Sequence, residues 1–140
     1  VENNFKFELR NELSELARVT EEIHACAGID TLDSQTVYTL DLTLEEMLSN
    51  VIKYAYSDNS SHTINLSLKI TEDKLILTIE DDGNEFDTEH YTEPELSNDI
   101  SERPIGGVGI HLVRNMTESV KYQRKNDRNI LEITILKHKV

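Results

Sequence analysis

Glu46, Asn50 and Lys53 stand at i, i+4 and i+7, and on an ideal helix turning 100° per residue they fall within roughly a 60° arc. An acid, an amide and an amine along one helix edge suit phosphate chemistry. The Asn50 amide offers a hard oxygen ligand to a Mg²⁺ ion shared with phosphates, and Lys53 meets phosphate charge as a cation. Glu46, one turn before Asn50, is placed to activate a hydroxyl or water as a general base. Glu45 lies about 100° from Glu46, so the two adjacent acids are not interchangeable. A solvated helix face would also carry Glu, Asn and Lys at this spacing.

A second group follows in Asp81-Asp82-Gly83. Leu75, Leu77, Ile79 and Asp81 share one face of an alternating run, while Glu80 and Asp82 share the other. A carboxylate is thereby delivered to the apolar side, where an ionised group costs several kcal/mol unless it is hydrogen-bonded, and a purine exocyclic amine is a fitting donor. Gly83 lets the chain leave the strand close to a ligand, although Asp-Asp-Gly is also ordinary turn composition. The third group is Gly106-Gly107-Val108-Gly109 ahead of a helical pattern, whose bare N–H groups and helix-dipole end can receive a polyphosphate. It lacks the Gly-Lys-Ser/Thr of a Walker loop. Arg103, just before it, is placed to pair with a terminal phosphate or to make a surface ion pair. His111 and Cys26 read as packing or surface residues.

The elements that must position these groups are legible as periodicities. Phe5, Phe7 and Leu9 predict a short strand. Asn11 is a plausible cap for a helix with Leu13, Leu16, Ala17 and Ile23 at helical spacing, and Gly28 is its expected end. Val37, Leu40, Leu44, Met47, Leu48, Val51 and Ala55 mark a long amphipathic helix from about Asp33 to Tyr56. The period then changes to two, through Ile64 to Ile70 and Leu75 to Ile79, which predicts a hairpin turning at Thr71-Glu72-Asp73-Lys74. The polar, acidic stretch at about 84–106 reads as a lid. A helix from Gly107, with Val108, Leu112, Val113 and Met116 inward, precedes two strands joined by the turn Asn126-Asp127-Arg128-Asn129. The implied fold is a two-layer α/β (α+β) sandwich, a mostly antiparallel sheet covered on one face by helices.

Length and composition narrow the function classes. The 140 residues suit one domain over 1–140, and 37% hydrophobic with 29% charged residues suits a globular chain. Fourteen basic against 27 acidic residues give a net charge of −13, which repels a polyphosphate backbone, so no direct nucleic-acid partner is expected. No apolar run reaches the ~20 residues of a membrane span, and the first residues lack a secretory pattern. The expected compartment is the cytoplasm. One cysteine allows no internal disulfide, and no Cys/His cluster has zinc spacing.

In order and spacing, Glu46 to Ala55, Asp81-Asp82-Gly83 and Gly106 to Val113 resemble the N, G1 and G2 boxes of the GHKL ATP-binding family. That resemblance implies the Bergerat fold. Within the family, Asn50-Val51-Ile52-Lys53-Tyr54-Ala55-Tyr56 and Arg103-Pro104-Ile105-Gly106-Gly107-Val108-Gly109-Ile110-His111-Leu112-Val113-Arg114 are most similar to bacterial anti-sigma factor serine kinases. The resemblance implies ATP and Mg²⁺ as cofactors, an anti-anti-sigma (STAS) protein as the substrate phosphorylated on serine or threonine, a sigma factor as a sequestered partner, and a homodimer. By matching position it implies Glu46 as catalytic base, Asn50 as Mg²⁺ ligand and Asp81 as adenine reader. Gly83, Gly107, Val108 and Gly109 become nucleotide-loop residues, and Lys53 and Arg103 secondary phosphate contacts. Glu85 stands where many relatives carry a second glycine of the G1 box. Histidine kinases and gyrase-like members add segments for which 140 residues leave no room. A nucleotide-gated binding module without phosphoryl transfer is the alternative, and a domain that binds no nucleotide is a third.

Overall fold

The computed structural model describes residues 2–85 and 107–138. Its strands are β1 (Asn3–Arg10), β2 (Thr63–Ile70), β3 (Lys74–Asp81), β4 (Ser119–Lys125) and β5 (Arg128–Leu136), and its helices are α1 (Ser14–His24), α2 (Ser34–Tyr54) and α3 (Gly107–Met116). The strands form one sheet in the order β1-β2-β3-β5-β4, with every neighbouring pair antiparallel. Alternation puts Ile64, Leu66, Leu68 and Ile70 of β2, Leu75, Leu77 and Ile79 of β3, and Leu131, Ile133 and Ile135 of β5 on one face, where all are buried. The helices cover that face with Leu16, Val19 and Ile23 of α1, Leu40, Leu44, Met47 and Leu48 of α2, and Ile110 and Val113 of α3. The result is the two-layer α/β sandwich.

Helix α2 carries the first group of candidate residues, and its start is well specified. Asp33 caps it, accepting from the Thr36 N–H at 3.2 Å and from the Thr36 hydroxyl. Thr39 and Thr43 are buried on its sheet-facing side and satisfy their hydroxyls on the carbonyls four residues back, at 3.1 and 2.7 Å. The apolar stripe between them faces the sheet, which fixes how Glu46 and Asn50 are rotated.

Four local expectations change. Asn11 does not cap α1; its side chain bridges to the loop before β2, accepting from the His62 N–H at 2.9 Å and donating to the Ser60 carbonyl at 3.3 Å. Helix α1 begins later, and the Glu15 carboxylate accepts from the Arg10 N–H at 3.1 Å. Gly28 does not end α1 either. The helix stops at His24, and Gly28, with φ of 97°, turns the chain into a 3-10 turn over Ile29–Thr31. In α3 the inward residues are Ile110 and Val113, whereas Leu112 and Met116 are 43% and 37% exposed; a ten-residue helix on the rim of the sheet buries only a narrow stripe. The side chain of Val108 lies outside the described residues.

The fourth change concerns the last hairpin. Its turn is two residues, Asn126 and Asp127, with φ of 53° and 60°, the double left-handed conformation of a type I′ turn. Arg128 and Asn129 therefore belong to β5, with Asn129 paired to Asp81 across the β3–β5 ladder. Because Asp pays for a left-handed φ that glycine adopts freely, Asp127→Gly is expected to stabilise the fold by about 0.5–1 kcal/mol, read as a higher denaturant midpoint at unchanged slope.

Candidate functional site

At the end of the sandwich where β3 and β5 leave the core, the inner-face pattern changes from apolar to polar. Asp81 follows Ile79 on the inward side and is 4% exposed; its ladder partner Asn129 is 5% exposed. Between them and α2 lies a partly enclosed cavity. Its walls are Met47, Asn50, Val51, Tyr54 and Ala55 of the α2 side and Ile79, Asp81, Tyr122, Asn129 and Leu131 of the sheet. An apolar slot with three polar side chains, Asn50, Asp81 and Asn129, is the usual make-up of a small-molecule site.

The hydrogen bonds around Asp81 are oriented. Its Oδ1 accepts from the Gly83 N–H at 2.8 Å and from Asn129 Nδ2 at 2.9 Å. Asn129 Nδ2 also donates to the Asn84 carbonyl at 2.8 Å. Asn129 Oδ1 accepts from the Tyr122 hydroxyl at 2.6 Å and from Arg124 Nη1 at 3.0 Å. These two donors fix which end of the amide faces Asp81. Among the described residues, both hydrogen bonds to Asp81 fall on Oδ1, so the carboxylate keeps acceptor capacity on Oδ2. Burial raises the Asp81 pKa above its ordinary value, while the Asn129 and Gly83 donors pull it back down.

Gly83 is required by the helix. A Cβ there would lie 2.5 Å from the Ala55 carbonyl oxygen and 2.6 Å from the Ala55 Cβ. The turn after β3 is pressed against the end of α2, and the Asn84 N–H donates to that same carbonyl at 2.6 Å. Arg124 Nη1 holds the turn from the other side, donating to the Gly83 carbonyl at 2.8 Å.

Asn50 is 9% exposed, and its Nδ2 is buried without a hydrogen-bond partner. An orphaned amide in a cavity is costly unless a ligand or water completes it. Glu46, one turn earlier, packs against the first turn of α3: a Cβ on Gly109 would lie 2.6 Å from the Glu46 Cδ and closer still to Oε2. The structure thus brings Asn50 and Asp81 to one cavity, and Glu46 to the first turn of α3, which carries Gly107 and Gly109. Lys53 is placed apart from Asn50. It is exposed and lines the groove between α1 and α2 with Glu45 and Ser49, because the far edge of the 60° arc rotates toward α1. Arg103 and the lid residues 86–106 lie outside the described residues.

Asn129, Tyr122 and Arg124 were not among the residues the sequence pattern picked out. The available signal was parity: Val120, Tyr122 and Arg124 alternate on one face of β4, which places Tyr122 and Arg124 beside Asn129.

A family model described as the histidine kinase-like ATPase domain matches residues 9–135, and the chain belongs to that family. It is similar to Serine/threonine-protein kinase BtrW of Bordetella bronchiseptica, 29% identical over 105 residues that make up 75% of this chain and 74% of that one. It is also similar to Serine-protein kinase RsbW of Oceanobacillus iheyensis, 30% identical over 92 residues, and to that of Listeria innocua, 28% identical over 91 residues. Each of those two matches covers 62% of this chain and 58% of the relative's length.

Asp81 carries a raised pKa, so its ionisation opposes folding. The folded state holds the proton more tightly than the unfolded one, and stability falls as pH rises from the ordinary value through the folded one. Asp81→Asn keeps an Oδ1 for both donors and removes the buried charge. It is expected to stabilise the protein by about 1 kcal/mol near neutral pH, with the gain vanishing in acid; urea melts at two pH values check this.

Proposed function

We propose that the cavity binds the adenine base of ATP and that the protein is an ATP-dependent serine/threonine-protein kinase acting on an anti-anti-sigma (STAS) partner. The observation that carries this reading is the pairing, in one cavity, of a buried carboxylate with free acceptor capacity and a buried amide with an unpartnered donor. A 6-aminopurine offers a donor where Asp81 offers an acceptor. Met47, Val51, Ile79 and Leu131 supply the apolar walls against which the base would pack.

Each residue then has a task. Asp81 accepts from the exocyclic amine, and Asn129 holds the carboxylate in register. The first turn of α3, with Gly107, Val108 and Gly109, offers N–H groups to phosphate oxygens. The donor set suits Mg²⁺ shared with a nucleotide. The Asn50 amide oxygen would be this chain's ligand, with phosphate and water completing the shell. Held by Asn50, such an ion would supply charge neutralisation to the transferred phosphoryl group. Glu46, at the edge of the same turn, takes the proton of the attacking hydroxyl. Lys53 and Arg103 are proposed as outlying phosphate contacts. The kinase names of the relatives support phosphoryl transfer to protein. The motif resemblance supports a partner-switching role, with sigma-factor sequestration and homodimer formation. Among the described residues no helix is long and apolar enough to cross a membrane.

Incubating the protein with labelled ATP, Mg²⁺ and a STAS protein from the same genome is expected to label the STAS protein. Glu46→Gln is expected to slow labelling by about 10²–10⁴-fold while nucleotide still binds. Transfer at the normal rate by Glu46→Gln would remove the base from the mechanism, and nucleotide binding without transfer to any STAS protein would favour a gated binding module.

A further inference from the structure

The turn that carries Asp81 out of β3 is also gripped from a side the nucleotide reading does not use. His62, the residue before β2, stacks on Tyr56 with ring centroids 4.2 Å apart and 16° between the planes. Its two ring nitrogens face two different carboxylates. Nε2 lies 2.8 Å from Asp58 Oδ1, and Nδ1 lies 3.3 Å from Asp82 Oδ1, with the imidazole side chain only 18% exposed. Ser60 Oγ lies 3.0 Å from Nε2 and donates to Asp58 Oδ1 at 2.9 Å. The backbone of His62 is pinned as well, exchanging hydrogen bonds with Asn11 through its N–H at 2.9 Å and its carbonyl at 3.1 Å.

A neutral imidazole has one N–H, so it satisfies one carboxylate and turns a lone pair toward the other; an imidazolium donates to both. With one carboxylate beside each ring nitrogen, this geometry favours the charged ring. Asp82 stands between Asp81 and Gly83, whose N–H is one of the two donors to Asp81. Whatever fixes Asp82 therefore fixes the segment that aims the buried carboxylate. We propose that His62 is a positioning residue for the nucleotide site: its charged form clasps Asp82 to Asp58, holds the Asp81–Gly83 turn against the end of α2, and releases it on deprotonation.

This role rests on the reading of the cavity as an adenine site. The charges around His62 come from every neighbouring segment. The connection after α2 contributes Asp58 and Tyr56. The end of β3 contributes Asp82, with Asp81 and Glu80 behind it. Strand β5 contributes Arg128, paired to Glu80 at 3.1 Å, and across a shallow groove from Tyr56 and Asp58 lies Glu12 of the β1–α1 connection. Acids outnumber the bases, which are Arg128 and, on the far side of the Asp81–Gly83 turn, Arg124 of β4. The hydrogen bond to Asp58, and then the charges of Asp58 and Asp82, hold the His62 pKa above its ordinary 6.5 against desolvation. The same contacts hold Asp58 below the usual carboxylate range. Burial and the charges of Asp81 and Asp82 push the Tyr56 phenol well up, so it stays neutral throughout the window where His62 titrates. For a base with a raised folded pKa, the stabilisation is complete below 6.5 and is lost as pH rises through the folded value.

The test follows thermal unfolding without nucleotide, and calorimetric titration with ADP and Mg²⁺, from pH 6 to 9 in the wild type, His62→Gln and Asp82→Asn. The wild type should lose melting temperature on the alkaline side and weaken its ADP affinity by about fivefold or more. His62→Gln should be flat in both over the same range, with affinity near the wild type's alkaline value, and Asp82→Asn should reduce the slope. The ring resonances of wild-type His62 supply a readout that needs no variant: ADP should raise their titration midpoint. A midpoint unmoved by ADP, or a wild-type slope retained in His62→Gln, overturns the role of His62 while leaving the adenine site intact. Failure of the wild type to bind ADP at any pH overturns the adenine reading, and the positioning role with it.

Discussion

The arrangement depends on keeping one carboxylate, that of Asp81, inside an apolar wall. Taking an ionised carboxylate out of water costs several kcal/mol after relaxation, and the fold offsets this with aimed donors. One is the backbone of Gly83, two residues on. The other is the amide of Asn129, brought opposite by the β3–β5 register. Those donors occupy one oxygen, and the remaining acceptor capacity faces the cavity. A structural role alone would be served as well by a neutral side chain. The proposed contact with the exocyclic amine of an adenine accounts for the retained charge.

The parts that surround it are mutually constrained. Gly83 lets the turn after β3 touch Ala55, and the Asn84 N–H then meets the Ala55 carbonyl. The tip of the β4–β5 hairpin reaches over through Arg124. Helix α2 is held to the sheet by Leu40, Leu44, Met47 and Leu48, so the rotation that buries this stripe also turns Asn50 into the cavity and Glu46 toward Gly109. A core packed at one end of the sandwich thereby sets the geometry of the polar end. The candidate residues sit on the later turns of α2 and at the end of β3, both braced by that core.

Much of this was legible as periodicity. Parity along β3 places Asp81 inward, and helical spacing along α2 places Glu46 and Asn50 beside the buried stripe; both inferences rest on local geometry alone. What escaped depends on longer-range or finer facts. Asn126-Asp127-Arg128-Asn129 has the composition of a four-residue turn, and only the two left-handed residues at its start show that Asn129 belongs to the strand. Asn11 has the chemistry of a helix cap, yet a contact 51 residues away in sequence claims its side chain. Lys53 lines the α1–α2 groove, because the docking of α1 against α2 decides which groove an edge residue enters. His62 offers no sequence signal, since its two carboxylates arrive from separate segments.

The most direct test of the account is a calorimetric titration of ADP with Mg²⁺ into the wild type and into Asp81→Asn under the same conditions. The account predicts saturable binding by the wild type and a loss of at least about tenfold in affinity for Asp81→Asn, with both proteins folded. Equal affinity in the two proteins, or no binding to the wild type, would contradict it.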